Sequence, residues 1–167
     1  MKKIVLKPNQ IVTLNDYPLH SNAVLKEYLT KCKSGEELPL VPVIRKDVVR
    51  KYFDATLLKE FEKFEEANPK AEYFMLDGSH RTTALTLAHC NIQTIVYEKA
   101  EDIAKARKLV AKGQIRESRT LKHTLEENCE ILSRHFKRKP HFMTVEQKTK
   151  KMAKEKNVPR DMINSYN

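Results

Sequence analysis

Five consecutive residues, Asp77-Gly78-Ser79-His80-Arg81, bring together the groups that bind phosphate. The apolar run Tyr73 to Leu76 before them reads as a compact strand, and Asp77-Gly78 breaks it. Ser79 through His89 then reads as a helix with Ala84, Leu85, Leu87 and Ala88 turned inward. A helix start exposes amide hydrogens that lack carbonyl partners and carries a partial positive charge. A phosphate placed there meets several donors at once. Gly78 lets the backbone come close to a ligand. Ser79 adds a hydroxyl, His80 a ring nitrogen, and Arg81 a planar fork that matches two phosphate oxygens. Asp77 has three available roles: accepting from a hydroxyl, holding a metal, or capping the helix. The same residues also suit an ordinary turn and first helical turn, so spacing alone leaves both readings open.

Other elements must position this segment. Ile4 to Leu6 and Ile11 to Leu14 read as short strands around Pro8-Asn9. Asn22 is the expected cap of a helix with Val24, Leu25, Tyr28 and Leu29 as its apolar face, ended by Ser34-Gly35. Leu38 to Ile44 is apolar but contains Pro39 and Pro42, which predicts an edge strand or a strand that starts late. Leu57, Leu58, Phe61 and Phe64 recur at helical spacing up to Asn68-Pro69. Ile92 to Tyr97 reads as another strand, and residues 100–112 as a helix closed by Gly113. Thr124 opens a helix whose apolar positions are Leu125, Ile131, Leu132 and Phe136. Thr144-Val145-Glu146-Gln147 has the capping-box form at the start of a basic helix, and a short last helix follows Val158-Pro159. The expected class is therefore α/β (α+β): a small mixed sheet with flanking helices in residues 1–103, followed by a basic, mainly helical part in residues 104–167.

Charge divides the chain at the same place. Residues 1–103 hold 15 Lys/Arg and 15 Asp/Glu, whereas residues 104–167 hold 17 against 7, so the whole net charge of +10 lies in the last third. Such asymmetry suits a polyanionic partner, either nucleic acid or a phosphorylated small molecule, or else a solvated basic surface. No run of 18 apolar residues occurs, and the apolar stretch after Lys2-Lys3 is too short for a signal-peptide core, so no membrane association is expected. Cys32, Cys90 and Cys129 lie far apart in sequence, without metal-ligand or redox spacing. They read as reduced, buried or half-buried thiols in a cytoplasmic protein.

The stretch Tyr73 to Leu87, YFMLDGSHRTTALTL, resembles the signature of the ParB/sulfiredoxin-like superfamily, in which a strand leads into a Gly-x-x-Arg turn and a helix. Ile11 to Asp16 resembles the first family strand, Leu40-Val41-Pro42-Val43-Ile44 the strand before the signature, and Ile92 to Val96 the strand after it. The likeness spans roughly residues 4–98, with an insertion around residues 48–70. Sulfiredoxins carry their catalytic cysteine where this chain has Ser79. Chromosome-partitioning members that bind CTP carry an acidic residue and two arginines after the glycine, a pattern only partly kept here. The free serine kinase branch reads Asp-Gly-His-His-Arg, which Asp77-Gly78-Ser79-His80-Arg81 resembles more closely.

That resemblance implies a nucleotide-dependent phosphotransferase, using ATP or ADP with Mg2+ on a small hydroxylated substrate such as free serine. Tyr17-Pro18-Leu19-His20 resembles the early loop of that branch, and Gly113 to His123 resembles a later segment. The implied phosphate and nucleotide ligands are Gly78, Ser79, His80, Arg81, Arg119, Thr120 and His123, with His20, Asp16 or Asp77 beside the acceptor hydroxyl or the metal. Ser21 stands where the kinases have a glutamate, and a serine is a poor general base at neutral pH. A different class fits the basic third: a ParB-like nucleic-acid-associated protein, CTP-binding or nuclease-like. It would touch backbone phosphates through Arg134, Lys137, Arg138, Lys139, Lys148, Lys150, Lys151 and Lys154. No carboxylate cluster for two metals accompanies them, and no residues are singled out as a dedicated metal site.

Overall fold

The computed structural model describes residues 1–19 and 21–167. Its strands are β1 (Lys2–Leu6), β2 (Ile11–Val12), β3 (Val41–Arg45), β4 (Tyr73–Met75) and β5 (Ile92–Val96). They form one mixed sheet in the order β1-β5-β3-β4-β2. The helices are α1 (Asn22–Lys33), α2 (Lys46–Val49), α3 (Ala55–Ala67), α4 (Ser79–Leu87), α5 (Ala100–Val110), α6 (Leu125–Arg138), α7 (Val145–Lys154) and α8 (Arg160–Tyr166). The mixed α/β class expected from the sequence is what the chain adopts. Among the described residues, no helix is long and apolar enough to cross a membrane.

Side chains alternate across the strands and so fill two different cores. Val12, Ile44, Phe74 and Ile95 face one side, where they meet Leu57 and Phe61 of α3, Ile103 of α5, and Leu132 and Phe136 of α6. Ile11, Val43, Tyr73, Met75 and Val96 face the other, where Val145 of α7 joins them. Outside that layer α1, α4, α7 and α8 share a third cluster built on Leu25, Leu29, Leu87, Met152 and Met162. All six phenylalanines of the chain join on the first side, and Phe136 stacks on Phe142 with centroids 4.7 Å apart. The basic last third is thus built into the cores of the sheet.

Two expectations are corrected. β3 lies at the centre of the sheet, so only its late start was foreseen. Pro42 is tolerated there because it closes the β3–β4 ladder: its carbonyl accepts from the Leu76 amide at 2.9 Å, and no amide is needed in return. The cap of α1 is Ser21, whose hydroxyl accepts from the Val24 amide at 3.2 Å, and Asn22 is already helical. Ser21, noted above where the kinase branch has glutamate, therefore has a local structural duty.

Candidate phosphate-binding cleft

Strand direction brings the chemistry together. β2 and β4 are parallel neighbours, with Ile11 opposite Tyr73 and Val12 opposite Phe74, so the chain leaves both strands at the same end of the sheet. Ligands of open α/β sheets lie at such carboxyl ends. β3 runs antiparallel to β4, so its start lies at that end too. The Leu40 amide donates to the Gln114 carbonyl at 2.9 Å, and Leu40 bridges Ile115, which docks the segment after α5 on the start of β3. The result is a cleft of about 420 Å³ lined by Asp16 after β2, Asp77 to Arg81 after β4, Val24 and Tyr28 of α1, and Arg116 to Arg119.

The α4 end of the cleft has an N-terminus without a side-chain cap. Its N-cap is Gly78 at φ 110°, ψ 28°, a left-handed conformation that glycine adopts without strain. A Cβ there would stand 3.2 Å from Arg81 Nη2. Glycine offers no side chain to cap the first-turn amides of α4. Ser79 is 7% exposed, and its Oγ has no hydrogen-bond partner among the described residues. A buried hydroxyl left in that state costs about 1–3 kcal/mol, which a bound oxygen acceptor recovers. His80 follows and also lines the cleft.

Arg81 has a different place from the one its type suggested. It is 2% exposed, with Nη1 donating to the carbonyls of Pro39 and Leu40, each at 3.0 Å, and Nη2 donating to Asp77 Oδ2 at 2.8 Å. Burial lowers its pKa from the usual arginine value, and the Asp77 carboxylate opposes that shift. The side chain ties the Gly78 turn to the start of β3 and reaches the floor of the cleft. Exposed cations come instead from the opposite wall, Arg116 and Arg119. Arg116 Nη1 donates to the Tyr28 hydroxyl, which turns it toward α1.

Asp16 is held by the last third. Lys148 of α7, 1% exposed, donates through Nζ to Asp16 Oδ1 and to the Leu14 carbonyl at 3.3 Å. Burial lowers the Lys148 pKa, and Asp16 counters it by favouring the charged form. The Asn15 amide donates to His135 Nε2 at 2.7 Å, so this ring nitrogen carries no proton. Thr13 donates its amide to the Met143 carbonyl at 3.0 Å. Tyr17 donates its hydroxyl to Glu155, and Lys151 lies over its ring, 4.6 Å from the centroid.

The remaining sequence candidates fall as follows. Arg119 lies in a 3-10 turn (Arg119–Lys122) and lines the cleft. Thr120 is buried, pairs its hydroxyl with Ser118 Oγ at 2.7 Å, and accepts from Asn128 through its carbonyl. His123 stands apart from the lining residues, with Nδ1 3.6 Å from Glu127 Oε2. The expectation for His20 lies outside the described residues. Sequence reasoning missed Arg116, Tyr28 and the part played by Lys148. Arg116 lay inside the Gly113 to His123 segment but off its motif, and no local pattern links residue 148 to residue 16. Among the described residues no group of three or more His, Cys, Asp or Glu converges on a metal-sized site. Magnesium carried by phosphates needs only one or two carboxylates, and Asp16 and Asp77 both line the cleft. Set against known proteins, the chain matches no family model, no curated protein and no solved structure. The likeness to the ParB/sulfiredoxin-like superfamily thus rests on its sequence motifs.

Proposed function

We propose that this cleft binds the phosphates of a nucleotide, ATP or ADP with Mg2+, and that the protein transfers a phosphoryl group to a small hydroxylated substrate such as free serine. The observation that carries the reading is the buried Ser79 hydroxyl, without a partner among the described residues, at the uncapped start of α4, with Arg116 and Arg119 lining the same cleft. The α4 amides and Ser79 would hold phosphate oxygens, and the two arginines would neutralise charge that develops during transfer. Asp16 and Asp77 would serve the metal and the acceptor hydroxyl, whose oxygen bonds to phosphorus as the nucleotide oxygen leaves and its own proton passes to a carboxylate. The setting in this reading is a reducing cytoplasm, in keeping with three free cysteines. Calorimetric titration with ADP, ATP and CTP plus magnesium tests the reading. Adenine nucleotide binding should weaken at least tenfold in the Arg116→Ala, Arg119→Ala double variant, as expected for lost charged hydrogen bonds. Equal affinity in both proteins would sink it, and a preference for CTP would favour the ParB-like alternative.

A second reading, nucleic-acid association, is supported by an open depression on α6 lined by Arg134, Lys137 and Arg138. Lys137 also pairs with Asp54 at 3.3 Å, and further lysines of the last third are engaged within the protein: Lys148 with Asp16, Lys150 with Glu146, and Lys151 on Tyr17. Binding to duplex DNA that falls steeply with salt and is lost on replacing those three residues would establish it.

A further inference from the structure

Two cysteines separated by 58 positions in the chain meet in the fold. Cys32 near the end of α1 and Cys90 in the turn after α4 have their Sγ atoms 3.3 Å apart, with Cys32 directed at Cys90. Both are free and half-buried, whereas Cys129 is buried in the aromatic core. Their backbones are well anchored. Cys32 lies in the last turn of α1, and the Cys90 amide donates to the Leu85 carbonyl at 2.8 Å. A cavity of about 230 Å³ is lined by both cysteines together with Gly35, Pro39 and Leu85, so a small reagent reaches the sulfurs without unfolding the chain. No local spacing in the sequence announces the pair, because the packing of α1 on α4 creates it.

We propose that Cys32 and Cys90 form a redox-modification site, in which a small-molecule disulfide converts the two thiols into an intramolecular disulfide that ties α1 to α4. In the first step the Cys90 thiolate attacks one sulfur of the reagent, joins to it, and expels the other sulfur as a thiol. In the second, Cys32 loses its proton and attacks the Cys90 sulfur, expelling the second half of the reagent. Two protein thiols are oxidised and one small disulfide is reduced to two thiols, so electrons and atoms balance. Burial pushes the Cys32 thiol up to about 11, so the closing step should accelerate as the pH is raised through the mildly alkaline range. The bond would fix the α1 wall of the cleft, since Tyr28 stands one helical turn before Cys32.

The test uses the full-length reduced protein and oxidised glutathione. After treatment and denaturing alkylation, one of the three thiols should remain reactive, that of Cys129. The mass should fall by two hydrogen atoms, a peptide joining Cys32 to Cys90 should appear, and Tm should rise by about 10 °C through closure of a long loop. A lasting glutathione adduct, or three thiols still open to alkylation, would overturn the proposal. In Cys32→Ser the second step is blocked, so the adduct should accumulate on Cys90. An unmodified Cys90 in that variant would overturn it as well.

Discussion

The two ends of α4 are finished in opposite ways. At the carboxyl end every step of the exit is hydrogen-bonded: Ala88 donates its amide to Ala84, His89 to Thr86 and Cys90 to Leu85. His89 takes a left-handed φ of 57°, stacks on Tyr166, and bonds its carbonyl oxygen through Nε2 at 2.7 Å. At the amino end a glycine occupies the cap, a buried serine hydroxyl has no partner among the described residues, and the first turn opens on the cleft. A helix that is buried almost all round, through Thr82, Thr83, Ala84, Thr86 and Leu87, has no need to leave one end open for its own stability. Under the proposed function the incomplete end is the one that would meet the ligand, and the contrast between the two ends adds to the motif as support for that reading.

Arg81 offers the largest effect with which to probe this contrast. Its side chain belongs to the scaffold of the open end, so Arg81→Ala should cost about 3 kcal/mol in urea unfolding by stranding two backbone carbonyls and the Asp77 carboxylate. A variant as stable as the parent would place Arg81 among the ligands instead. Ser79→Ala gives an intermediate effect and separates the two roles. It deletes a hydroxyl with no partner among the described residues, so stability should hold or rise slightly, while nucleotide affinity falls about tenfold. If stability and affinity fell together, the serine would be structural and the open end would be merely another helix terminus.

The smallest effect concerns the loop that carries Asp16. Burial holds the His135 pKa below its ordinary 6.5, with Arg138, Lys148 and Lys139 acting the same way and Asp16 opposing. The ring is neutral in the fold but takes up a proton in the unfolded chain, so the unfolded chain binds more protons below about 6.5. Stability should therefore be fully present above 6.5 and decline as the pH falls toward the lower folded value. His135→Gln keeps an acceptor for the Asn15 amide without titrating, and should flatten that part of the curve of urea midpoint against pH. An unchanged curve would remove His135 from the support of the Asp16 loop.

Much of this could be read from the sequence because the signals were local. The helix start at Thr124, the capping box at Thr144, the glycine after residue 112, and the strand–turn–helix around Gly78 all appear where spacing predicted them. The central position of β3 was hidden because Pro42 looks like an edge residue until its place at the end of a ladder is known. The fate of Arg81 was hidden for a related reason. Its type advertises phosphate binding, whereas its use depends on carbonyls some 40 residues away, at Pro39 and Leu40. The Lys148–Asp16 pair and the Cys32–Cys90 pair are also products of tertiary structure, at separations of 132 and 58 residues.

The hold of α6 and α7 on residues 13–17 has a consequence for biosynthesis. The loop carrying Asp16 takes its partners from positions 120 to 140 residues downstream. As the chain leaves the ribosome, β1 to β5 and α4 emerge before those partners exist, and contacts across such separations are slow to close. During that interval the amino end of α4 is present while the Asp16 carboxylate lacks its Lys148 partner. Under the proposed function, competence to bind would therefore arrive late, since a nascent chain that stalls before Lys148 holds every residue lining the cleft but lacks the lysine that fixes Asp16.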